Sequence, residues 1–250
     1  MRTALTALAF LALAACEPTF DVPEADASGP VPQTGAVAAN RSAAEGERLM
    51  RRIAQRIEPV AENTCRAETG RSGQYCDFRF TIDDSNDPPN AFQTIRDGHP
   101  LIVFNTAMLR TVRNDNEVAF IMAHEAGHHI AGHLAQRNQQ VGLGGLAGAL
   151  IVGGLLGGDP QTGANIGSQV GARAYSQTFE LEADVLGTYI ADLAGYDPVD
   201  GAASFARFSG SNSLLSSHPP GAQRYNTVVA VAERIEQQRA AGQTPTIPRN

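Results

Sequence analysis

The stretch FIMAHEAGHHIAGHLA, residues 120–135, carries four of the chain's six histidines and one glutamate. His124 and His128 stand four residues apart, so on a helix they project from adjacent turns of one face and can reach a single ion. Glu125 lies between them, about 100° around the helix from His124. In an HExxH pattern the glutamate takes a proton from the water that attacks a peptide carbonyl, and zinc held by the imidazoles activates that water. Gly127 leaves room for backbone or substrate to approach the helix closely. Two ligands are too few, because catalytic zinc takes three protein groups and keeps one position open.

The same helix does not supply the third. A metzincin pattern needs glycine at 131 and histidine at 134, where the chain has Ala131 and Leu134. His129 and His133 are turned away from the first pair. They form either a second, weaker site or, on the simpler reading, solvated or capping histidines. The segment FELEAD offers Glu180 and Asp184, four apart on one face of a second helix. A glutamate there completes a His₂Glu ligand set, and Asp184, one turn on, can fix a ligand imidazole by accepting its N–H. Spacing alone equally fits a solvated acidic face. Glu182 points elsewhere and is expected to be exposed.

These side chains need helices to hold them. Asn114 is placed to cap the HExxH helix, with Glu117 at the capping-box position, and the helical pattern runs on through Arg137. Residues 41–60 read as an amphipathic helix with Leu49, Ile53, Ile57 and Val60 on one face. YCDFRFTID and PLIVFN are strand-like, NAFQT between them suits an edge strand, and the economical arrangement is a small antiparallel sheet. The Gly/Ala-rich stretch 141–174 is too short and glycine-laden for a membrane span. It fits a close-packed helical hairpin or a flap over a cleft. A helix over 176–195 carries the stripe Phe179, Ala183, Leu186 and Ile190. Asp197 and Pro198 start the next one, and a last helix precedes a frayed tail at 242–250.

The segments NAFQT, EVAFIMAHEAGHHIAGH, YSQTFELEADVLG, AGYDP and SHPPGAQR occur in the order found in the HtpX/CAAX-prenyl-protease/Oma-type zinc metallopeptidases. The chain resembles that family over residues 45–235, in the manner of its exported bacterial branch without membrane spans. The resemblance implies a mainly helical α+β fold: a zincin-type metalloprotease domain with a small antiparallel sheet and the HExxH helix, of the gluzincin HExxH…ExxxD kind. It implies one zinc ion on His124, His128 and Glu180, with Glu125 as catalyst and Asp184 behind the ligands. It also brings His218 and Arg224, from the His-Pro loop, near the metal. His218 then stabilises the oxyanion, caps the zinc in a latent state, or serves a structural turn. Arg224 is expected to face the cleft, as a second oxyanion donor or as part of that turn. Ser176-Gln177 departs from the family's Ser-Arg, which removes any role of that arginine but leaves the metal set untouched.

The ends of the chain indicate where it works. MRTALTALAFLALAAC has one arginine, an apolar run and a Leu-Ala-Ala-Cys that matches a bacterial lipobox, so residues 1–15 read as a lipoprotein signal peptide and Cys16 as the lipidated residue. Residues 16–40 are acidic and rich in Pro and Ala, a composition expected to form a disordered tether. The catalytic domain is then 41–241. Export favours a disulfide between Cys65 and Cys76 over two buried thiols. All 19 basic residues are arginine, against 26 acidic ones, and no basic cluster stands out, which excludes a nucleic-acid groove. The absence of Trp argues against stacking platforms for sugars or bases. The reading is a periplasmic zinc endopeptidase, lipid-anchored on the periplasmic face of a membrane, the outer membrane by preference. It degrades unfolded or misassembled envelope proteins. The alternative is a chaperone-like assembly factor that cuts little, against which the intact Glu125 argues.

Overall fold

The computed structural model describes residues 19–26, 41–85, 88–174, 176–207 and 221–250; Cys16 and His218 lie outside them. The fold is mainly helical, with one small sheet. Helix α1 (Ala43–Thr69) starts on a reciprocal cap: the Ser42 hydroxyl accepts from the Glu45 N–H, and the Glu45 carboxylate accepts from the Ser42 N–H. It accommodates Pro59 and runs nine residues beyond the expected end at residue 60, because Ala61, Thr64 and Cys65 continue its buried stripe. Gly70, in the left-handed conformation, ends it. A 3₁₀ turn at Gly73–Cys76 then brings Cys76 back to Cys65, and the two are disulfide-bonded with Cα atoms 5.7 Å apart.

Strands β1 (Arg79–Asp83), β2 (Ala91–Arg96) and β3 (His99–Asn105) form a sheet in the order β1-β3-β2. β2 and β3 make an antiparallel hairpin through Asp97-Gly98, both at positive φ (53° and 79°), as a type I′ turn requires. β1 pairs parallel with β3, so the sheet is mixed, not antiparallel as expected. The reason is topological. The chain skips from β1 past the centre, forms β2, and returns as β3 between them, pointing the same way as β1. β3 is buried along its whole length, while β2 keeps one edge of the sheet.

Short α2 (Thr106–Thr111) leads to α3 (Asp115–Ile130), the central helix. The Asn114 side chain caps it by accepting from the Glu117 N–H, as expected, whereas the Glu117 carboxylate accepts from the Arg113 N–H. α3 is buried on nearly every side, which is why it reads as apolar all round rather than amphipathic. It does not continue to Arg137. Gly132 adopts φ 74° and breaks it, and α4 (His133–Ala149) sets off in a new direction. α4 and α5 (Pro160–Ala174) form a hairpin, one of the two alternatives the glycine-rich sequence left open. A Cβ on Gly148 or Gly167 would sit 2.0 Å from the carbonyl oxygen of Gly163 or Gly144 across the pair. Leu143, Leu146, Leu150, Ile151, Leu155, Leu156 and Ile166 are exposed on the outside of this hairpin. No helix among the described residues is long and apolar enough to cross a membrane.

α6 (Ser176–Leu193) packs along α3 and ends before Gly195. α7 (Pro198–Arg207) is capped by Asp197, whose carboxylate accepts the N–H groups of Val199 and Asp200. α8 (Ala222–Ala240) closes the bundle against α6 and α7. Both chain ends correct an expectation. Phe20 bridges to Arg249, Asp21 N–H donates to Pro248 O, and Asn250 N–H donates to Thr19 O. Residues 19–26 are therefore docked rather than part of a loose tether, and the tail at 242–250 is held rather than frayed. Buried Phe20 and core-packed Ile247 supply the apolar anchors that composition averages had hidden.

Candidate metal centre

Convergence of α3 and α6 builds the site, and two glycines make it possible. A Cβ on Gly127 would lie 2.9 Å from the Ala183 carbonyl, and one on Gly187 would lie 3.0 Å from the His124 backbone. The helices thus meet backbone to backbone. The close approach anticipated at Gly127 is to α6.

This contact brings His124, His128 and Glu180 together. Their Nε2 atoms are 3.0 Å apart, and each lies 3.4 Å from a Glu180 carboxylate oxygen. Donors around a tetrahedral ion with bonds of about 2.0–2.1 Å are separated by about 3.3 Å, so these three nitrogen and oxygen donors have the chemistry and spacing of a metal site. Among the described residues this is the group of His, Cys, Asp and Glu side chains that could hold an ion. Glu125, in the same helical turn as His124, is buried as well.

The residues behind the ligands differ in part from the expected set. Asp184 stands where it was expected: its Oδ1 is 2.9 Å from His124 Nδ1, leaving Nε2 for the ion. Arg224 does not turn to an open cleft. It is buried, donates through Nε and Nη2 to both Asp184 oxygens at 2.8 and 2.7 Å, and places Nη1 3.1 Å from Glu180. Its guanidinium carbon sits 3.8 Å from the Phe205 ring centroid, a cation–π contact. Burial works against its charge, but Asp184 and Glu180 prevail and raise its pKa. Arg224 braces the Glu180 carboxylate and Asp184 together.

His129, His133 and Glu182 also depart from expectation. None is solvated. His129 is buried, with Nε2 2.7 Å from the Tyr75 carbonyl and its ring against Tyr75 and Phe78; burial lowers its pKa. Because the chain turns at Gly132, His133 swings back beside the first pair. Its Nδ1 lies 2.8 Å from His128 Nδ1, its Nε2 lies 3.0 Å from Glu182 Oε2, and its ring stacks on Phe179 at 3.8 Å. Burial pushes its pKa well below the usual histidine range, and neighbouring His128 adds to this. Glu182 is 2 % exposed. Burial raises its pKa, while the N–H groups of Phe20 and Thr19 pull the other way. The missed signal was Ala131-Gly132, a helix stop followed by a histidine.

Comparisons with known proteins give the family of the chain. The pattern of the peptidase family M48 matches residues 47–232. The beta-barrel assembly-enhancing protease of Escherichia coli O157:H7 is 30% identical over 148 residues, 54% of this chain and 29% of that protein. Its counterpart of the same name in Yersinia pestis is 30% identical over 145 residues, with the same shares. Metalloprotease LoiP of Escherichia coli K12 is 31% identical over 125 residues, 46% of this chain and 49% of that protein. The overlap thus spans under a third of the assembly-enhancing proteases and about half of LoiP. The family pattern runs from within α1 to within α8, across both α3 and α6, and on that match this chain belongs to peptidase family M48.

Proposed function

We propose that this chain is a zinc-dependent endopeptidase of the bacterial cell envelope that acts on unfolded or misassembled envelope proteins. The carrying observation is the ligand triad His124, His128 and Glu180 with buried Glu125 beside it. His124, His128 and Glu180 would hold the zinc, which when bound would supply Lewis-acid activation of water and of the scissile carbonyl. Glu125 takes the proton of the attacking water and returns it to the leaving amine. Asp184 and Arg224 keep His124 and Glu180 in place throughout. His218 is retained from the sequence as donor to the developing oxyanion, as a cap of the resting site or as part of a structural His-Pro turn.

An extended substrate adds to β2, the sheet edge beside α3, by main-chain hydrogen bonds. Phe92 and Ile95 on that strand are exposed and offer apolar contacts. Main-chain pairing tolerates varied sequences, which suits disposal of unfolded chains. The names of the relatives, one an assembly-enhancing protease, support envelope proteins as the substrate class. Lipidation at Cys16, read from the sequence, anchors the enzyme to its membrane.

Replacing Glu125 by Gln should abolish casein cleavage while the protein keeps its zinc. Full cleavage by Glu125→Gln would overturn the mechanism. A wild-type chain that binds zinc yet leaves casein intact would favour the assembly-factor reading.

A further inference from the structure

One of the two histidine ligands has its outer partner where expected; the other has a partner that nothing in the motif announces. His124 is backed by Asp184. His128 is backed by His133, which is backed in turn by Glu182. The line does not stop there. Glu182 Oε1 accepts the backbone N–H of Thr19 at 2.7 Å and that of Phe20 at 3.0 Å. These donors come from the strap at residues 19–26, more than 160 residues away in sequence.

Hydrogen-bond directions along this line are constrained. With Oε1 taken by the two backbone N–H donors, Glu182 presents Oε2 to His133 Nε2 as the acceptor of its N–H. A neutral imidazole that donates from Nε2 accepts at Nδ1. His133 Nδ1 therefore accepts from His128 Nδ1–H, and His128 Nε2 is left with its lone pair directed to the Glu180 side. Stacking on Phe179 at 12° between ring planes fixes the His133 ring in the orientation that serves both bonds.

We propose that His133, Glu182 and the strap residues Thr19 and Phe20 form a positioning relay that sets the metal-binding tautomer of His128, so that docking of the N-terminal strap is a step in building the metal site. The proposal rests on His124, His128 and Glu180 being the metal ligands. His133 and Glu182 touch no substrate in this scheme. They act through His128, and the strap acts through Glu182. The segment that leads from the membrane anchor is thereby connected, through four hydrogen bonds, to Nδ1 of His128, the ring nitrogen opposite the one that faces the ion.

The test uses the full mature chain and measures zinc affinity by competition with a chromophoric chelator. The visible spectrum of the cobalt-loaded protein and the melting of the metal-free form are recorded alongside. Glu182→Gln turns an amide N–H₂ toward His133 and reverses the line, and should weaken zinc about 10–100-fold, the usual effect of removing a metal ligand's hydrogen-bond partner. His133→Leu should do the same. His133→Asn, which keeps an acceptor near the Nδ1 position, should retain most of the affinity; a merely structural histidine would not discriminate Asn from Leu in this way. Phe20→Ala, which loosens the strap, should weaken zinc and shift the cobalt bands without altering any residue of α3 or α6. Unchanged zinc affinity in Glu182→Gln and Phe20→Ala, with zinc still lost in Glu180→Gln, would overturn the relay and leave the metal site standing. A wild-type chain with no Glu180-dependent zinc would instead overturn the metal site, and the relay with it.

Discussion

Arg224 and Asp184 form a buried ion pair whose two partners each have a second duty, to Glu180 and to His124. Such a pair contributes little net stability while intact, yet breaking it is severe, because an uncompensated charge stays behind in a medium that solvates it poorly. Asp184→Asn should therefore destabilise the fold by about 3 kcal/mol or more in urea titration and also weaken zinc. Replacement of Arg224 by Lys should not rescue the pairing, because one ammonium cannot reproduce the two-pronged contact. His124 and His128 were readable as a pair from sequence, since a spacing of four on a helix states which side chains share a face. Glu180 was singled out by the family resemblance, because spacing alone fitted a solvated acidic face equally well. His133 and Glu182 were not readable. Their positions depend on where α3 ends and on a strap that arrives from the other end of the chain.

Elements matter here through how closely they approach. Gly127 and Gly187 bring α3 and α6 into backbone contact, and the ligands inherit that distance. Gly127→Ala would place a methyl 2.9 Å from the Ala183 carbonyl and 3.1 Å from Leu186 Cβ. The helices should part slightly, with about 1–3 kcal/mol lost in chemical denaturation, the usual penalty for overpacking. Zinc affinity should fall too, because Glu180 moves with α6. The sequence announced α3 by its Asn114 cap and the HExxH run, and α6 by its apolar stripe and the Gly195 stop. It did not announce the direction of β1. A short strand carries no mark of which neighbour it joins, and the parallel pairing followed from where β3 was inserted.

At the scale of the whole molecule, distant segments are held by a few polar ties as well as by the core. Arg52 of α1 pairs with Asp115 in the first turn of α3. Hydrogen bonding from Arg52 lowers the Asp115 pKa, despite some opposing burial, and Ser42 lowers that of Glu45 at the start of α1. Both carboxyls thus bind protons less readily folded than unfolded. Their stabilisation is present above the ordinary values of 3.8 and 4.5 and is lost as pH falls through and below them. The urea midpoint should therefore drop between pH 5.5 and 3. Asp115→Asn should start lower at pH 5.5 and lose less over the same interval; an unchanged acid slope in that variant would remove the tie from the account. Closure of the Cys65–Cys76 loop adds about 3 kcal/mol by restricting the unfolded chain. The strap and tail were misread from sequence because a segment with low average hydrophobicity can still dock through one Phe, one Ile and its backbone.

The α4–α5 hairpin has a practical corollary. Its glycines bury backbone against backbone, and among the described residues Leu143, Leu146, Leu150, Ile151, Leu155, Leu156 and Ile166 stand exposed on its outer flank. Apolar area gathered in this way makes a protein self-adhesive in plain buffer. Handling at high concentration therefore calls for a mild detergent, and crystals grown without one will tend to hide this flank in their lattice.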